Sequence, residues 1–402
     1  MLDPKYIPLF VGGFIAWICF MIFVGWITSR GKSEGSSFLT GGGNLGFFLI
    51  FCTVGATMIG TGSSMGAIGN GYNHGWGGAI YGLGASAGIL SMLLFTKAKN
   101  KGFLTMSEEA QYYYGGKKII RQVMGFMMFV IEIIWLGNHL NGGAKYLAYV
   151  TQMPDVTCKI ITVLGFGIYV FIGGYMAVVT TDAVQFIAIL IGIVGLGVTQ
   201  TGKIPFLGSS AEAETIIIRL SDLLSQHGVL FAIIAGVVLA GILASTMSTA
   251  DSQLLAAASS MSHDLIQDFF GLKLSPKAAM HAARGTVIGI AIVAIFLAWD
   301  PNSTVFNIVS FAWAGFGASF GPLVLFSLFW KRTNKYGAIS GMIAGGAMVF
   351  IWKYLIAPLG GAWGIYELLP AFLVGCIVIV VVSLATAPPS KEIVEEFEAV
   401  GK

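Results

Sequence analysis

Long apolar segments separated by short polar loops dominate this chain. A helix that crosses the hydrocarbon core of a bilayer needs about 20 predominantly apolar residues. Eleven runs fit or approach this length: Tyr6–Ser29, Leu45–Gly69, Gly77–Phe95, Ile120–Val150, Ile160–Phe171, Val178–Thr199, Val229–Ser260, Val287–Trp299, Val305–Trp330, Ala338–Leu355 and Tyr366–Ala385. Apolar and polar residues do not alternate along them, as they would in the strands of a membrane barrel. The pattern predicts an all-α, polytopic membrane helical bundle of about 11 transmembrane helices.

The second run has an unusual density of glycine. Between Gly55 and Gly71 it reads GATMIGTGSSMGAIGNG. Glycine weakens a helix interior, and unwound backbone at membrane depth is tolerated only where it is buried in protein or lines a cavity. Transporters place such broken helices at the bilayer midplane, where freed carbonyls bind cations. Close helix packing on small residues is the alternative. The glycine density favours a broken helix.

The seventh run carries a cluster of hydroxyl side chains. Ser245, Ser248, Thr249 and Ser252 follow the spacing i, i+3, i+4, i+7 and therefore share one helix face. Hydroxyl and carbonyl oxygens suit a hard cation. Thr249 lies to one side of Ser248 and Asp251 to the other, so Ser248 could be shared between two ion sites. The alternative is that these hydroxyls only bond the carbonyls of their own helix.

Ionisable residues within the predicted spans are candidates for function. Glu132 and His139 lie two turns apart on the fourth helix, and Asp182 and Asp251 lie in the sixth and seventh. A structural hydrogen bond to a neighbouring helix is the alternative for each. Asp264 is expected at the cytoplasmic end of its helix, where solvation is cheap.

Composition and charge agree with a membrane protein and give it an orientation. Hydrophobic residues make up 56% of the chain and charged residues only 10%, against about 25% charged in soluble domains. Most of the 22 lysines and arginines fall in alternate loops. By the positive-inside rule, the N-terminus lies outside and the C-terminus lies in the cytoplasm. The predicted location is the cell membrane, the lipid bilayer is the expected surrounding, and no nucleic-acid partner is expected.

Three long stretches are similar to the sodium:solute symporter family. They are FIGGYMAVVTTDAVQ at 171–185, LAGILASTMSTADSQLL at 239–255 and SFAWAGFGASFGPLVLFSLFWKRTNKYGAISGMIAG at 310–345. The last stretch resembles the sodium/proline branch most. The resemblance runs along nearly all of the chain and implies a leucine-transporter-type fold with two inverted repeats.

The resemblance also implies how a single membrane transport domain, 1–402, is divided. An extra N-terminal helix occupies 1–30, the first repeat 45–200 and a partial second repeat 229–330. Two C-terminal helices at 336–386 and a cytoplasmic tail at 387–402 follow. Family members have two more helices between the sixth and seventh helices of this chain, so the second repeat is predicted to be incomplete, with the pair lacking between residues 202 and 205.

The ligands of the family's sodium sites transfer to matching positions here. The main Na+ site would use the carbonyls of Ala56, Ile59 and Ser245 and the hydroxyls of Ser248 and Thr249. A second sodium, present in some members, would bind Asp182, Ser248, Asp251 and Ser252. The solute pocket of this fold would be lined by Gly60, Ser63, Trp135, His139 and Trp313.

Two positions depart from the proline branch. Met58 replaces an aspartate beside the sodium ligands, and Gly43 replaces an arginine ahead of the helix. Both departures argue against proline itself as the solute.

These observations leave three functional interpretations. The leading one is sodium-coupled symport of a small organic solute, an amino acid, related organic acid or sugar, by alternating access. The second is a transport-incompetent relative, such as a sensor, accessory or degenerate protein, that retains sodium binding. The third is proton coupling in the same fold through Glu132, His139 and Asp182. An enzyme is not expected, because the sequence has no Walker A loop, metal motif or nucleophile elbow.

Overall fold

A computed structural model gives the fold of the chain. It describes residues 7–29, 45–67, 70, 84, 87–88, 90–91, 103, 105–116, 118–168, 170–172, 175, 178, 215–270, 272, 274–298 and 304–399. No β-strand occurs in these residues. The predicted all-α class is therefore confirmed.

Twelve helices can be traced through the described residues. In chain order they are α1 (Ile7–Ser29), α2 (Phe47–Met58), α3 (Met106–Tyr113), α4 (Lys118–Thr151), α5 (Asp155–Ile172), α6 (Ile216–Ser225), α7 (Val229–Ser259), α8 (Pro276–Leu297), α9 (Val305–Phe329), α10 (Lys335–Ile351), α11 (Leu368–Ala385) and α12 (Lys391–Ala399). π-Helical turns extend α7 through Ser260–Phe269 and α10 through Trp352–Ile356. A separate π-helical segment, Gly62–Ala67, follows α2.

Eight helices in the described part of the chain are long and apolar enough to cross a membrane. They correspond to eight of the eleven predicted runs, and the shorter apolar helix α2 corresponds to the second run. The predicted spans Gly77–Phe95 and Val178–Thr199 fall largely outside the described residues, as does the junction at 202–205. Short helices α3, α6 and α12 were not predicted, because none of them is long enough to span a bilayer.

The described residues form two compact units. The first takes its residues from Met1–Leu83, Glu132–Ala258 and Leu274–Val309. The second takes its residues from Gly84–Ile131, Ser259–Lys273 and Ser310–Lys402. The division into 45–200 and 229–330 as repeats of a single transport domain stays a prediction.

Small residues let the C-terminal helices of the second unit pack closely. A Cβ at Gly337 of α10 would collide with the Ser383 side chain of α11, and one at Gly341 would collide with Ile379. Residues 337 and 341 are one helical turn apart, the spacing by which small residues bring membrane helices together. Asn334 caps α10 by accepting hydrogen bonds from the backbone of Tyr336 and Gly337 at 3.1 and 3.0 Å.

Asp264 is buried rather than solvated, which corrects the sequence expectation. Its side chain has no exposed surface and forms an ion pair with Arg121, with 2.9 Å between Oδ1 and Nε. The Ser107 hydroxyl donates to Oδ2 at 2.6 Å, and the Thr105 hydroxyl donates to Oδ1 at 3.3 Å. A buried carboxylate needs such partners. The second unit supplies them from α4 and the start of α3, a contact that the local sequence around Asp264 does not reveal.

Candidate sodium and solute site

The second apolar run is interrupted in its middle, as predicted. Helix α2 ends at Met58, and Ile59 leaves helical geometry with φ −98° and ψ 76°. Gly60 continues the bend before helical turns resume at Thr61 and through Gly62–Ala67. An interruption exposes backbone carbonyls that a continuous helix would use internally. The backbone carbonyls of Ala56 and Ile59, at and just before this break, are therefore candidate cation ligands.

The hydroxyl helix α7 contacts α2 immediately before this break. The Thr249 hydroxyl lies 3.1 Å from the carbonyl oxygen of Thr57 and 3.1 Å from that of Ser245, one turn earlier in its own helix. Thr249 is 2% exposed. Ala56 packs against Ala244 of α7, and both are completely buried. Helix α7 thus brings its hydroxyl face to the segment that carries the predicted carbonyl ligands.

Hydroxyls of α7 also bond their own helix. Ser245 and Thr246 donate to the carbonyl of Ile242 at 2.8 and 3.0 Å. Bonding within the helix, the alternative interpretation, therefore accounts for the donated hydrogen bond of each of these two hydroxyls. The Thr249 hydroxyl also reaches a backbone carbonyl of the broken helix, that of Thr57. Ser248 is completely buried on the same face.

Gly60 sits where no side chain fits. A Cβ built on Gly60 would lie 2.5 Å from Thr249 Oγ1 and 2.8 Å from His139 Cε1. Both distances are far below van der Waals contact. The backbone of the break therefore lies directly against α7 and α4, and a predicted sodium ligand and a predicted solute residue meet at this glycine.

A second polar connection joins the same three segments. The Thr61 hydroxyl lies 3.0 Å from Thr246 Oγ1 on α7, and His139 Nδ1 of α4 lies 3.0 Å from Thr61 Oγ1. All three side chains are at most 1% exposed. The ring of Trp135 stacks on that of His139, with a centroid distance of 6.3 Å and an interplanar angle of 29°.

The predicted second ion site is described only in part. The Ser252 hydroxyl lies 3.0 Å from the Thr57 hydroxyl and 3.5 Å from Asp251 Oδ1. Asp251 is completely buried. Asp182 lies outside the described residues. The Ser252 hydroxyl thus lies within reach of both Asp251 and Thr57, and the second ion site, including Asp182, stays a prediction.

The structure describes the remaining predicted solute residues to different extents. The backbone of Ser63 belongs to the π-helical segment Gly62–Ala67, but its side chain lies outside the described atoms. Trp313 belongs to α9 in the second unit, whereas Trp135 and His139 belong to the first. Their joint role as a pocket lining stays a prediction.

Three polar residues of this region were missed by the sequence reasoning. Thr57 and Thr61 bracket the break and bond the hydroxyl helix. Asn138 is completely buried, and neither polar atom of its side chain has a partner among the described residues. Thr57 and Thr61 stood inside the quoted glycine run, where their hydroxyls were available as a signal. Asn138 precedes His139, and a polar pair within an apolar run was the signal there.

A protein-family comparison identifies the chain. The model of the sodium:solute symporter family matches residues 38–223 and 207–345, which is more than half of the chain. The chain belongs to the sodium:solute symporter family. The two matched segments share residues 207–223, just after the junction where the helix pair is predicted to be absent.

Relatives of this sodium:solute symporter family member include proline transporters. The high-affinity proline transporter PutP of Bacillus subtilis is 40% identical over 212 residues, covering 52% of this chain and 43% of the relative. A sodium/proline symporter of Staphylococcus aureus is 42% identical over 207 residues, covering 50% of this chain and 40% of the relative. The matches thus span less than half the length of these curated relatives.

A solved Na+-coupled sialic acid symporter, captured substrate-bound in an outward-open state, has the same fold. The TM-score is 0.71 at 16% sequence identity, with 94% of this chain and 98% of that chain covered. The predicted leucine-transporter-type fold is in keeping with this likeness. Family membership and the apolar helices together make this a multi-pass membrane protein.

Proposed function

We propose that this protein is a sodium-coupled secondary active symporter of a small organic solute. The observation that carries the proposal is the contact of Thr249 with the carbonyl of Thr57, next to the break at Ile59 and Gly60. A broken helix faced by a helix of hydroxyls is the arrangement in which transporters of this type bind their coupling ion.

The sodium ion would bind oxygen atoms only. The carbonyls of Ala56, Ile59 and Ser245 and the hydroxyls of Ser248 and Thr249 form a set of neutral oxygens, which suits a hard cation. Ser245 O and Thr249 Oγ1 already lie 3.1 Å apart. A second ion would add Asp182, Asp251 and Ser252, with Ser248 shared between the two sites.

The solute belongs to the class of amino acids, related organic acids or sugars. The named relatives transport proline, and the solved neighbour binds sialic acid. Met58 and Gly43 argue against proline itself, and Gly60, Ser63, Trp135, His139 and Trp313 are the proposed lining. Alternating access would expose this lining to each side of the cell membrane in turn, with the N-terminus outside and the C-terminus in the cytoplasm.

Thermal melting of the purified chain in detergent tests the sodium site. A ligand that binds only the folded state raises the melting temperature by mass action. We expect the melting temperature to rise as sodium replaces choline at constant ionic strength, and to stay unchanged when potassium replaces choline. Identical melts in sodium and choline would rule out a competent sodium site.

Uptake into proteoliposomes tests the coupling. An inward sodium gradient should drive accumulation of a radiolabelled solute from a panel of amino acids, organic acids and sugars, and choline outside should abolish it. Sodium-dependent stabilisation without uptake of any solute would instead support the transport-incompetent relative.

Proton coupling is the second candidate because of Glu132. This residue of α4 is 6% exposed, and its Oε2 has no hydrogen-bond partner among the described residues. A carboxyl group in such a place can carry a proton across a membrane. Uptake driven by an inward proton gradient without sodium, and lost in Glu132→Gln, would favour this candidate over sodium coupling.

A further inference from the structure

The hydrogen bonds around His139 form a chain with a defined direction. The chain begins at the carbonyl oxygen of Ile242, which can only accept. Thr246 must therefore donate its one hydroxyl proton to Ile242, across 3.0 Å. Having used that proton, Thr246 can only accept from Thr61, whose oxygen is 3.0 Å away.

This direction fixes the protonation of the imidazole. Thr61 has one hydroxyl proton and gives it to Thr246. The 3.0 Å contact between Thr61 Oγ1 and His139 Nδ1 must then be donated by the imidazole. Nδ1 therefore carries a proton, and in a neutral imidazole Nε2 is left as a bare acceptor.

Nε2 of His139 is positioned as a recognition atom. The side chain is 1% exposed, and Nε2 has no hydrogen-bond partner among the described residues. Cε1, which is bonded to both ring nitrogens, lies against the break, 2.8 Å from where a Cβ of Gly60 would be. A buried acceptor without a donor is costly, so such atoms in native proteins call for a specific explanation.

We propose that Thr246 and Thr61 hold His139 as the Nδ1–H tautomer, so that Nε2 selects solutes that present a hydrogen-bond donor, N–H or O–H, at the break. This inference rests on the proposed function and adds the atom that discriminates between solutes. His139 would contact the solute, and Thr61 and Thr246 would act as positioning residues through it. A site built to hydrogen-bond a donor rejects the analogue that lacks it far more strongly than an apolar pocket does.

Thermal shifts in saturating sodium test the selectivity with two pairs of probes. Alanine is compared with N,N,N-trimethylalanine, which has no N–H, and glucose is compared with its fully O-methylated derivative. From the concentration dependence of the melting temperature, we expect the probe with donors to bind at least about tenfold more tightly than its methylated partner. The pair that shows this difference identifies the donor as an amine or a hydroxyl. Equal shifts within both pairs, or no shift with either donor-bearing solute, would overturn the proposal.

Two substitutions separate the roles of the two ring nitrogens. His139→Gln places an amide oxygen near the Nε2 position and should keep the preference for the donor-bearing probe. His139→Asn places its amide near Nδ1, offers no acceptor at Nε2, and should lose the preference. His281→Asn, at an exposed histidine of α8, is the matched control. Equal discrimination in His139→Asn and the wild type would contradict a role for Nε2.

The tautomer can be measured without any solute. In full-length protein labelled with ¹⁵N-histidine, the His139 resonances, assigned by their loss in His139→Gln, should show a protonated Nδ1 and a bare Nε2. Thr61→Val removes the acceptor and should redistribute the proton between the two nitrogens. A wild-type signal from Nε2–H with a bare Nδ1 would overturn the inference. If that signal appears but sodium still raises the melting temperature of the same sample, the tautomer inference fails and the proposed sodium site stands. If the expected tautomer is found but sodium does not raise the melting temperature, the result counts against the proposed function and not against the tautomer.

Discussion

The hydroxyl of Thr249 and the backbone carbonyl of Thr57 lie 3.1 Å apart, although the two residues are separated by 192 positions in the chain. This contact joins the hydroxyl helix to the broken helix two residues before the break. Thr57 also approaches α7 through its own hydroxyl, which is 3.0 Å from that of Ser252. Thr57 is therefore bonded to α7 through both its backbone carbonyl and its side chain.

Thr249→Val should weaken sodium binding without unfolding the protein. Valine keeps the shape of threonine but removes one oxygen ligand, whose contribution is comparable to one hydrogen bond, about 1 kcal/mol. Sodium titrations of the melting temperature should show an affinity roughly fivefold lower. Thr286→Val is the matched control, because among the described residues the Thr286 hydroxyl bonds only the carbonyl of Ala282 in its own helix, α8. An unchanged sodium affinity in Thr249→Val would remove this residue from the site.

Ser248→Ala should weaken the binding of two sodium ions if both proposed sites exist. Thr249→Ala should then weaken only the site built with Ala56 and Ile59, and Asp182→Asn only the other. The Asp182 substitution should have the larger effect, because it removes a full charge from the proposed ligand set, whereas the other two remove a neutral oxygen. Sodium titrations of the three variants measure this. An unchanged Ser248→Ala isotherm would contradict the shared ligand, and identical effects of Thr249→Ala and Asp182→Asn would mean a single site.

Gly60→Ala should destabilise the protein and weaken the binding of both sodium and solute. The added methyl group would lie 2.5 Å from Thr249 Oγ1 and 2.8 Å from His139 Cε1. Overpacking of this kind typically costs about 1–3 kcal/mol. Gly289→Ala on α8 is the control, since no atom of the described residues lies within 4 Å of the position of its Cβ. If the Gly60→Ala melt and sodium titration match those of the wild type, the break does not approach α7 and α4 as closely as described.

Asp264→Asn should cost far more stability than loss of an exposed ion pair. Asp264 is completely buried and Arg121 is 8% exposed, so the substitution leaves a buried guanidinium without this carboxylate, at a cost of about 3–5 kcal/mol. The control is Glu398→Gln, whose pair with Lys331 is exposed and should contribute at most about 1 kcal/mol. Chemical denaturation of both variants measures the difference. Equal stabilities would show that the Asp264 cluster contributes no more than a surface pair.

The helical organisation could be predicted from the sequence because it depends on local composition. A run such as Val229–Ser260 is predominantly apolar, and lipid admits only structures that satisfy their backbone internally. The glycine density around Gly60 likewise predicted the break, because each glycine weakens the helix at its own position. The short helices α3 and α6 escaped prediction, since neither is long enough to span a membrane.

The sequence by itself therefore determined the class of protein, the position of most helices and the interrupted second helix, all of which follow from properties of neighbouring residues. Which hydroxyl meets which carbonyl was decided by the tertiary structure alone. Thr249 and Thr246 lie on the same helix, yet one reaches Thr57 and the other accepts from Thr61. The local sequence around Asp264 likewise does not indicate that its partner is Arg121. Such pairings depend on how distant helices pack, because a polar group buried in a bundle must take its partner from whichever segment lies against it.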